Sequence, residues 1–161
     1  MKKISLLLIL SLTAILFLFI ACDKTCGIKP PKDVKPIDWE NYNDVSTVYW
    51  NTYSYKEIEN FPLDKEIMVC GWIYRPRFSD IDPSQFKLID NLSDVHVSPI
   101  PITRVGVQIF SSEIQAVFDT YDSTKKCFVK GKLKYNKLFM GRCTRLAPTI
   151  HVSDTNDIYF K

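Results

Sequence analysis

The first residues decide how much of the chain has to fold. Met1-Lys2-Lys3 gives a positive start, and Ile4 to Ala21 is apolar but for Ser5, Ser11 and Thr13. A short positive region, an apolar run and a small residue before a cut make the pattern of a secretory leader. A run of roughly 20 apolar residues is also long enough to span a bilayer, so length leaves an uncleaved anchor open. Either way, the chain beyond Ala21 is expected to be exported, tethered and folded outside the cytoplasm.

The residues at the cut separate the two readings. Phe19-Ile20-Ala21-Cys22 resembles the lipobox of bacterial lipoproteins, where a small residue precedes the acylated cysteine. It departs at Phe19, where leucine is usual. The resemblance implies that residues 1–21 are a lipoprotein signal peptide and that Cys22 carries the lipid. The mature protein would then sit in the cell envelope, anchored to a bacterial membrane, the outer membrane favoured, by its N-terminal lipid.

Composition has to be recounted on that basis. Losing Lys2 and Lys3 takes the 21 basic residues to 19 against 18 acidic, a net charge of +1 with histidine neutral. The strong positive field of a nucleic-acid binder is missing, and the envelope location also argues against nucleic acid as partner. With Cys22 acylated, Cys26, Cys70, Cys127 and Cys143 remain. In an oxidising compartment four cysteines allow three pairings, and spacing cannot choose among them. The competing reading makes Cys70 and Cys127 buried thiols that act as small hydrophobes. There is no CxxC, and only His96 and His151 offer imidazole, so no zinc site, and no cofactor, is expected.

Three materials follow the leader. Residues 22–38 hold the lipidated cysteine and a tether whose second half, Lys29-Pro30-Pro31-Lys32-Asp33-Val34-Lys35-Pro36, favours extended, semi-rigid chain. Residues 39–62 are too aromatic for a linker. Tyr42, Val45, Val48, Tyr49 and Tyr53 fit a helical stripe with Asn43 or Asp44 as cap, although the same residues suit a strand. This segment would serve either as a stacking platform for a sugar or base, or as packing outside the main domain, and the second is the stronger reading.

Residues 63–161 form the main domain. Glu66–Tyr74 is a strand with Ile67, Val69, Gly71 and Ile73 on one face and Met68, Cys70, Trp72 and Tyr74 on the other, so both faces ask to be covered. Further strands are predicted over 85–90, 104–110, 126–135 and 149–153, with a short one or a hook at 157–160. Between the third and fourth lies a helix: Ser112 and Gln115 make a capping box ahead of a stripe of Ile114, Val117, Phe118 and Tyr121.

Three strands, a helix and two strands is the order of the OB-fold, a five-stranded Greek-key barrel. Cys70-Gly71-Trp72-Ile73, Phe86-Lys87-Leu88-Ile89-Asp90 and Val129-Lys130-Gly131-Lys132-Leu133 resemble that family's pattern. The chain is similar to small OB-type lipoproteins of bacterial envelopes. The expected fold is therefore mainly β: a five-stranded OB-like barrel with one helix between strands 3 and 4, and the aromatic N-terminal segment packed outside it.

The resemblance puts ligands on the loops joining strands one to two and four to five. In the first, Arg75, Arg77 and Phe78 interleave cations with an aromatic. In the second, residues 136–145, Phe139, Arg142 and Arg145 do the same. Lys130, Lys132 and Lys134 add a row of ammoniums on one face of the fourth strand. Such a row is also an ordinary way to discourage strand addition. The function expected is a binding or interaction module for a glycan, an acidic ligand or a protein partner.

Catalysis is poorly supported. There is no Gly-rich phosphate loop, HExxH or GxSxG. The alternative from another class is a metal-dependent, nuclease-like hydrolase using Asp80 and Asp82 with Arg75 and Arg77 in the first loop. Asp122-Ser123-Thr124 looks like a short O-glycosylation acceptor or simply a solvated turn.

Mass spectrometry can test the leader directly. The mature protein should carry a diacylglyceryl-modified N-terminus at Cys22, and Cys22→Ser should abolish palmitate incorporation. A mature N-terminus elsewhere, or an intact leader, refutes it.

Overall fold

The computed structural model describes residues 29–55, 57–74, 85–94, 103–109, 113–140 and 143–161. Two units divide the chain: Pro30–Leu138 with Arg145–Lys161, and Met1–Lys29 with Phe139–Thr144. Few of the described residues belong to the second, and the hydrophobic core lies in the first. The leader and Cys22 lie outside the described residues. Among the described residues no helix is long and apolar enough to cross a membrane.

The chain is mainly β. Its strands are β1 (Tyr42–Asp44), β2 (Glu66–Tyr74), β3 (Gln85–Ile89), β4 (Arg104–Gln108), β5 (Cys127–Met140), β6 (Cys143–His151) and β7 (Ile158–Phe160). The main helix is α1 (Val45–Ser54), and a shorter one, α2 (Ile114–Asp119), lies between β4 and β5. The strands form one sheet in the order β1-β2-β3-β4-β6-β5-β7, with β2 also pairing with β5. The pairings therefore run from β2 through β3, β4, β6 and β5 back to β2. β1 joins β2 in parallel, β4 joins β6 in parallel, and β7 lies antiparallel to the start of β5.

Alternation sets the core. Ile67, Val69 and Ile73 of β2 and Cys127, Val129 and Leu133 of β5 are buried in one cluster with Leu88, Val105, Val107 and Ile150. Along β2 and the first half of β5 the alternate residues stay half-buried or exposed, whereas Ile89 of β3 and Thr149 of β6 are buried as well. At ~1.5–3 kcal/mol for each large apolar side chain removed from water, this shared face dominates stability. The same burial fixes register, because a one-residue slip would turn every one of these side chains outward.

The expectation that residues 39–62 pack outside the main domain is corrected. Val45 and Val48 are fully buried and belong to the same cluster as Ile67, Val69 and Val105. α1 packs against β2, β3 and β4, with Val45, Val48, Tyr49, Thr52 and Tyr53 buried along its stripe. Glycine makes room: a Cβ on Gly71 would stand 2.6 Å from Val45 Cγ2 and 2.7 Å from the Ile89 carbonyl oxygen. The inner face of β2 is thus covered partly by the helix, a contact that β2's alternation does not reveal.

The helix start is capped from a distance. Asp44 occupies the N-cap but makes no side-chain capping bond. Asp90, just past β3, instead accepts from the Ser46 N–H at 2.9 Å, supplying a partner to an orphan donor and a charge to the positive end of the helix. Buried Asn43 holds the preceding segment down. Its amide donates to the Asp38 and Met68 carbonyls at 2.6 and 3.2 Å, and its oxygen accepts from Asp38 N–H at 2.8 Å. Ser112 of the predicted capping box lies outside the described residues; α2 has Glu113 at its N-cap, with no side-chain bond.

A second correction concerns residues 136–145, expected as a loop. β5 runs on to Met140 and β6 begins at Cys143. Asn136, the first residue of that expected loop, donates its amide to Thr149 Oγ1 across the strands at 2.9 Å. That bond satisfies it within the sheet.

Gly131 gives the sharpest test of this packing. A Cβ there would lie 2.5 Å from the His151 carbonyl oxygen and 2.8 Å from Ile150 Cγ2. Gly131→Ala should lower unfolding stability by about 1–3 kcal/mol in urea titration, the cost of overpacking. Exposed Lys132→Ala should stay within about 0.5 kcal/mol of wild type.

Candidate functional site

The lysine row stands on the outward face of β5 as its alternation requires, but it is not three free charges. Lys130 Nζ lies 3.1 Å from Glu66 Oε1, and Lys134 pairs with Asp64. Asp64 sits in the left-handed region at φ 64°, which a short polar side chain tolerates better than most. Lys132 stands exposed between them, opposite Glu66 in the register. These exposed pairs add little stability, yet they balance the local charge. Arg145 does not stand with the lysines. Its guanidinium lies 5.6 Å from the Tyr53 ring centroid, tying β6 to α1. Arg75, Arg77, Phe78 and Arg142 lie outside the described residues, as does the Phe139 side chain. So do Asp80, Asp82 and His96.

What pairing of β1, β2, β5 and β7 does bring together is an aromatic wall. Phe128 and Tyr159 stack with centroids 5.2 Å apart and planes 7° from parallel. The Tyr42 ring meets Phe128 edge-on at 5.1 Å and lies 6.3 Å from Tyr159. Lys161 Nζ hangs 5.5 Å from the Tyr159 centroid. Further along, Lys126 Nζ lies 4.7 Å over Trp72 and 3.8 Å from Asp44 Oδ1. All four rings are half-buried. Trp72 Nε1 is buried and has no hydrogen-bond partner among the described residues. Burial, reinforced by the hydrogen bond to Tyr159, raises the Tyr42 phenol above its ordinary value of 10.0.

Beside this wall a cleft of about 240 Å³ opens between the N-terminal segment and α1. Asp33, Val34 and Lys35 line one side, and Asp44, Thr47 and Trp50 the other. The first side is fixed in place because Asn51 Nδ2 donates to the Lys35 carbonyl at 2.7 Å. Asp44 belongs to both features, through the cleft and through Lys126. Sequence reasoning named the aromatic segment but not this partnership. The outward positions of β2 and β5 were its available signal.

Cys70 and Cys127 are free thiols. They face opposite sides of the sheet, Cys127 buried and Cys70 half-buried against Asp44, to whose Oδ1 its Sγ–H donates at 3.8 Å. Among the described residues no group of histidine, cysteine and carboxylate side chains is arranged to hold a metal. In the acceptor-like turn, Thr124 Oγ1 donates to Asp122 at 2.6 Å while Ser123 is exposed.

No protein-family model and no curated protein matches the chain. Among solved structures, a DUF3299 family protein from Pseudomonas aeruginosa PAO1 is similar at 16% identity and a TM-score of 0.37, over 61% of this chain and 62% of that one. The chain spans less than two thirds of that neighbour, and a likeness at this level carries no argument.

Cys127 supplies a pH test. Burial pushes its thiol from the ordinary 9.0 up to about 12. The native state keeps a proton that the unfolded chain releases near pH 9, so this stabilisation is complete below about pH 9 and is lost as pH rises toward 12. Urea midpoints should fall over that range, less steeply in Cys127→Ala, and iodoacetamide at pH 8 should leave native Cys127 unmodified.

Proposed function

We propose that this chain is a lipid-anchored envelope protein whose domain is an OB-type binding module for a glycan. Support for the barrel reading comes from the circuit β2-β3-β4-β6-β5-β2, with β4 parallel to β6 and a helix ahead of β5. That is the connectivity the OB resemblance implies. Support for the anchor is the lipobox-like Phe19-Ile20-Ala21-Cys22.

The observation that carries the ligand class is the wall of Tyr42, Trp72, Phe128 and Tyr159 with Lys126 and Lys161 beside it. Half-exposed rings offer apolar faces that stack on a sugar ring, and the two tyrosine hydroxyls and the flanking ammoniums offer polar groups to its hydroxyls. Charge decides among the expected ligands. Lys126, Lys130 and Lys134 already face Asp44, Glu66 and Asp64. A polyanion would have to break these pairs; a neutral glycan would not. The hydrolase reading rests on Asp80 and Asp82, which lie outside the described residues.

Retention on immobilised envelope polysaccharides tests the module. Wild-type protein should be retarded, and Trp72→Ala combined with Tyr159→Ala should lose most of the retention while keeping a cooperative unfolding transition. Equal retention of the double variant, or none for wild type, overturns the reading.

A further inference from the structure

We infer that the cleft between residues 31–35 and the start of α1 is a subsite for a single uncharged sugar ring. This inference rests on the glycan-module reading and gives that surface a recognition pocket.

Size comes first. At about 240 Å³ the cleft falls just below the 300 Å³ or so at which drug-sized ligand pockets begin. It suits one small ring rather than an extended chain. The lining then selects the chemistry. Trp50 and Val34 give apolar surface, Asp33 and Asp44 accept hydrogen bonds, Lys35 donates, and the Ser46 and Thr47 hydroxyls do both. A polyol ring needs this mixture: carbon–hydrogen faces against an aromatic and many hydroxyls that donate and accept. An inorganic anion would meet two carboxylates. An organic cation would suit Trp50 and the carboxylates but would meet Lys35. With Lys126 beside Asp44, the two carboxylates, Asp33 and Asp44, are matched in number by two ammoniums, Lys35 and Lys126, and the site is neutral overall.

The cleft is also held ready. Asn51 fixes the Lys35 carbonyl, and Asn43 clamps the chain at Asp38. Asp44, although at the N-cap, spends no side-chain bond on its own helix, because Asp90 caps the Ser46 N–H. Its carboxylate is 66% exposed and open to a ligand. Through Asp44 and Lys126 the cleft adjoins Trp72, so a ring seated here would lead into a chain lying along the wall.

The three indoles, Trp39, Trp50 and Trp72, make the test direct. In a proton–nitrogen correlation spectrum of the full mature chain, the Trp50 indole signal is assigned by its loss in Trp50→Phe. Glucose, galactose, mannose and N-acetylglucosamine are titrated singly, with choline as the cation control. At least one sugar should shift the Trp50 signal saturably while leaving Trp39 in place. Asp44→Asn and Thr47→Val should each weaken that binding, the former about tenfold, the cost of one hydrogen bond to a carboxylate. Both variants should keep the dispersed spectrum of wild type. If choline alone moves the signal, if no sugar does, or if Asp44→Asn binds as wild type, the subsite is refuted. Polysaccharide retention is measured in parallel. If no sugar moves the Trp50 signal while retention persists, this inference alone is refuted; retention that is absent altogether refutes the module.

Discussion

Everything in this domain is arranged around β2 having no free side over its middle. β5 pairs with residues 66–71 and β1 with residues 68–70, so both edges are taken there, and β3 takes residues 72–74. The inner face buries Ile67, Val69 and Ile73, and Gly71 admits Val45 of α1 where any side chain would collide. A strand committed on both edges and over its inner face cannot shift register without cost in hydrogen bonds and burial together. The rest of the sheet is built outward from that fixed line.

Its remaining face is where chemistry meets solvent. Because β1, β5 and β7 lie alongside, outward residues far apart in the chain, Tyr42, Trp72, Phe128 and Tyr159, fall into one wall. Phe128 is set by its pairing with Cys70 on one side and Tyr159 on the other. The ion pairs along it hold the charge near balance, so the surface offers ring area and hydrogen-bonding groups rather than a strong field.

The outcomes at individual residues show why parts of this were readable. Alternation of Lys130, Lys132 and Lys134 with Val129, Gly131 and Leu133 put the lysines outside β5 correctly, since a two-residue period is a local property. The stripe of Tyr42, Val45, Val48, Tyr49 and Tyr53 fitted a helix by its period and a strand by its composition; the structure resolves it as β1 followed by α1. What alternation could not say is that Glu66 and Asp64 wait opposite those lysines, or that α1 covers the inner face of β2. The loop expected over residues 136–145 failed because the strands continue there only through cross-strand bonds such as that of Asn136 to Thr149, which exist once β5 and β6 are together.

From the sequence alone came the mainly β character, the centres of most strands, the short helix before the fourth predicted strand, and the expectation of an exported, lipidated start. Each follows from periodicity or from residues adjacent in the chain. Tertiary structure alone decided which strands share edges, which cations are already paired, and which aromatics and carboxylates converge on the wall and the cleft. The physical reason is range. Dihedral preference and burial period act over a few residues, while a site is made by side chains that meet only after the chain has closed on itself.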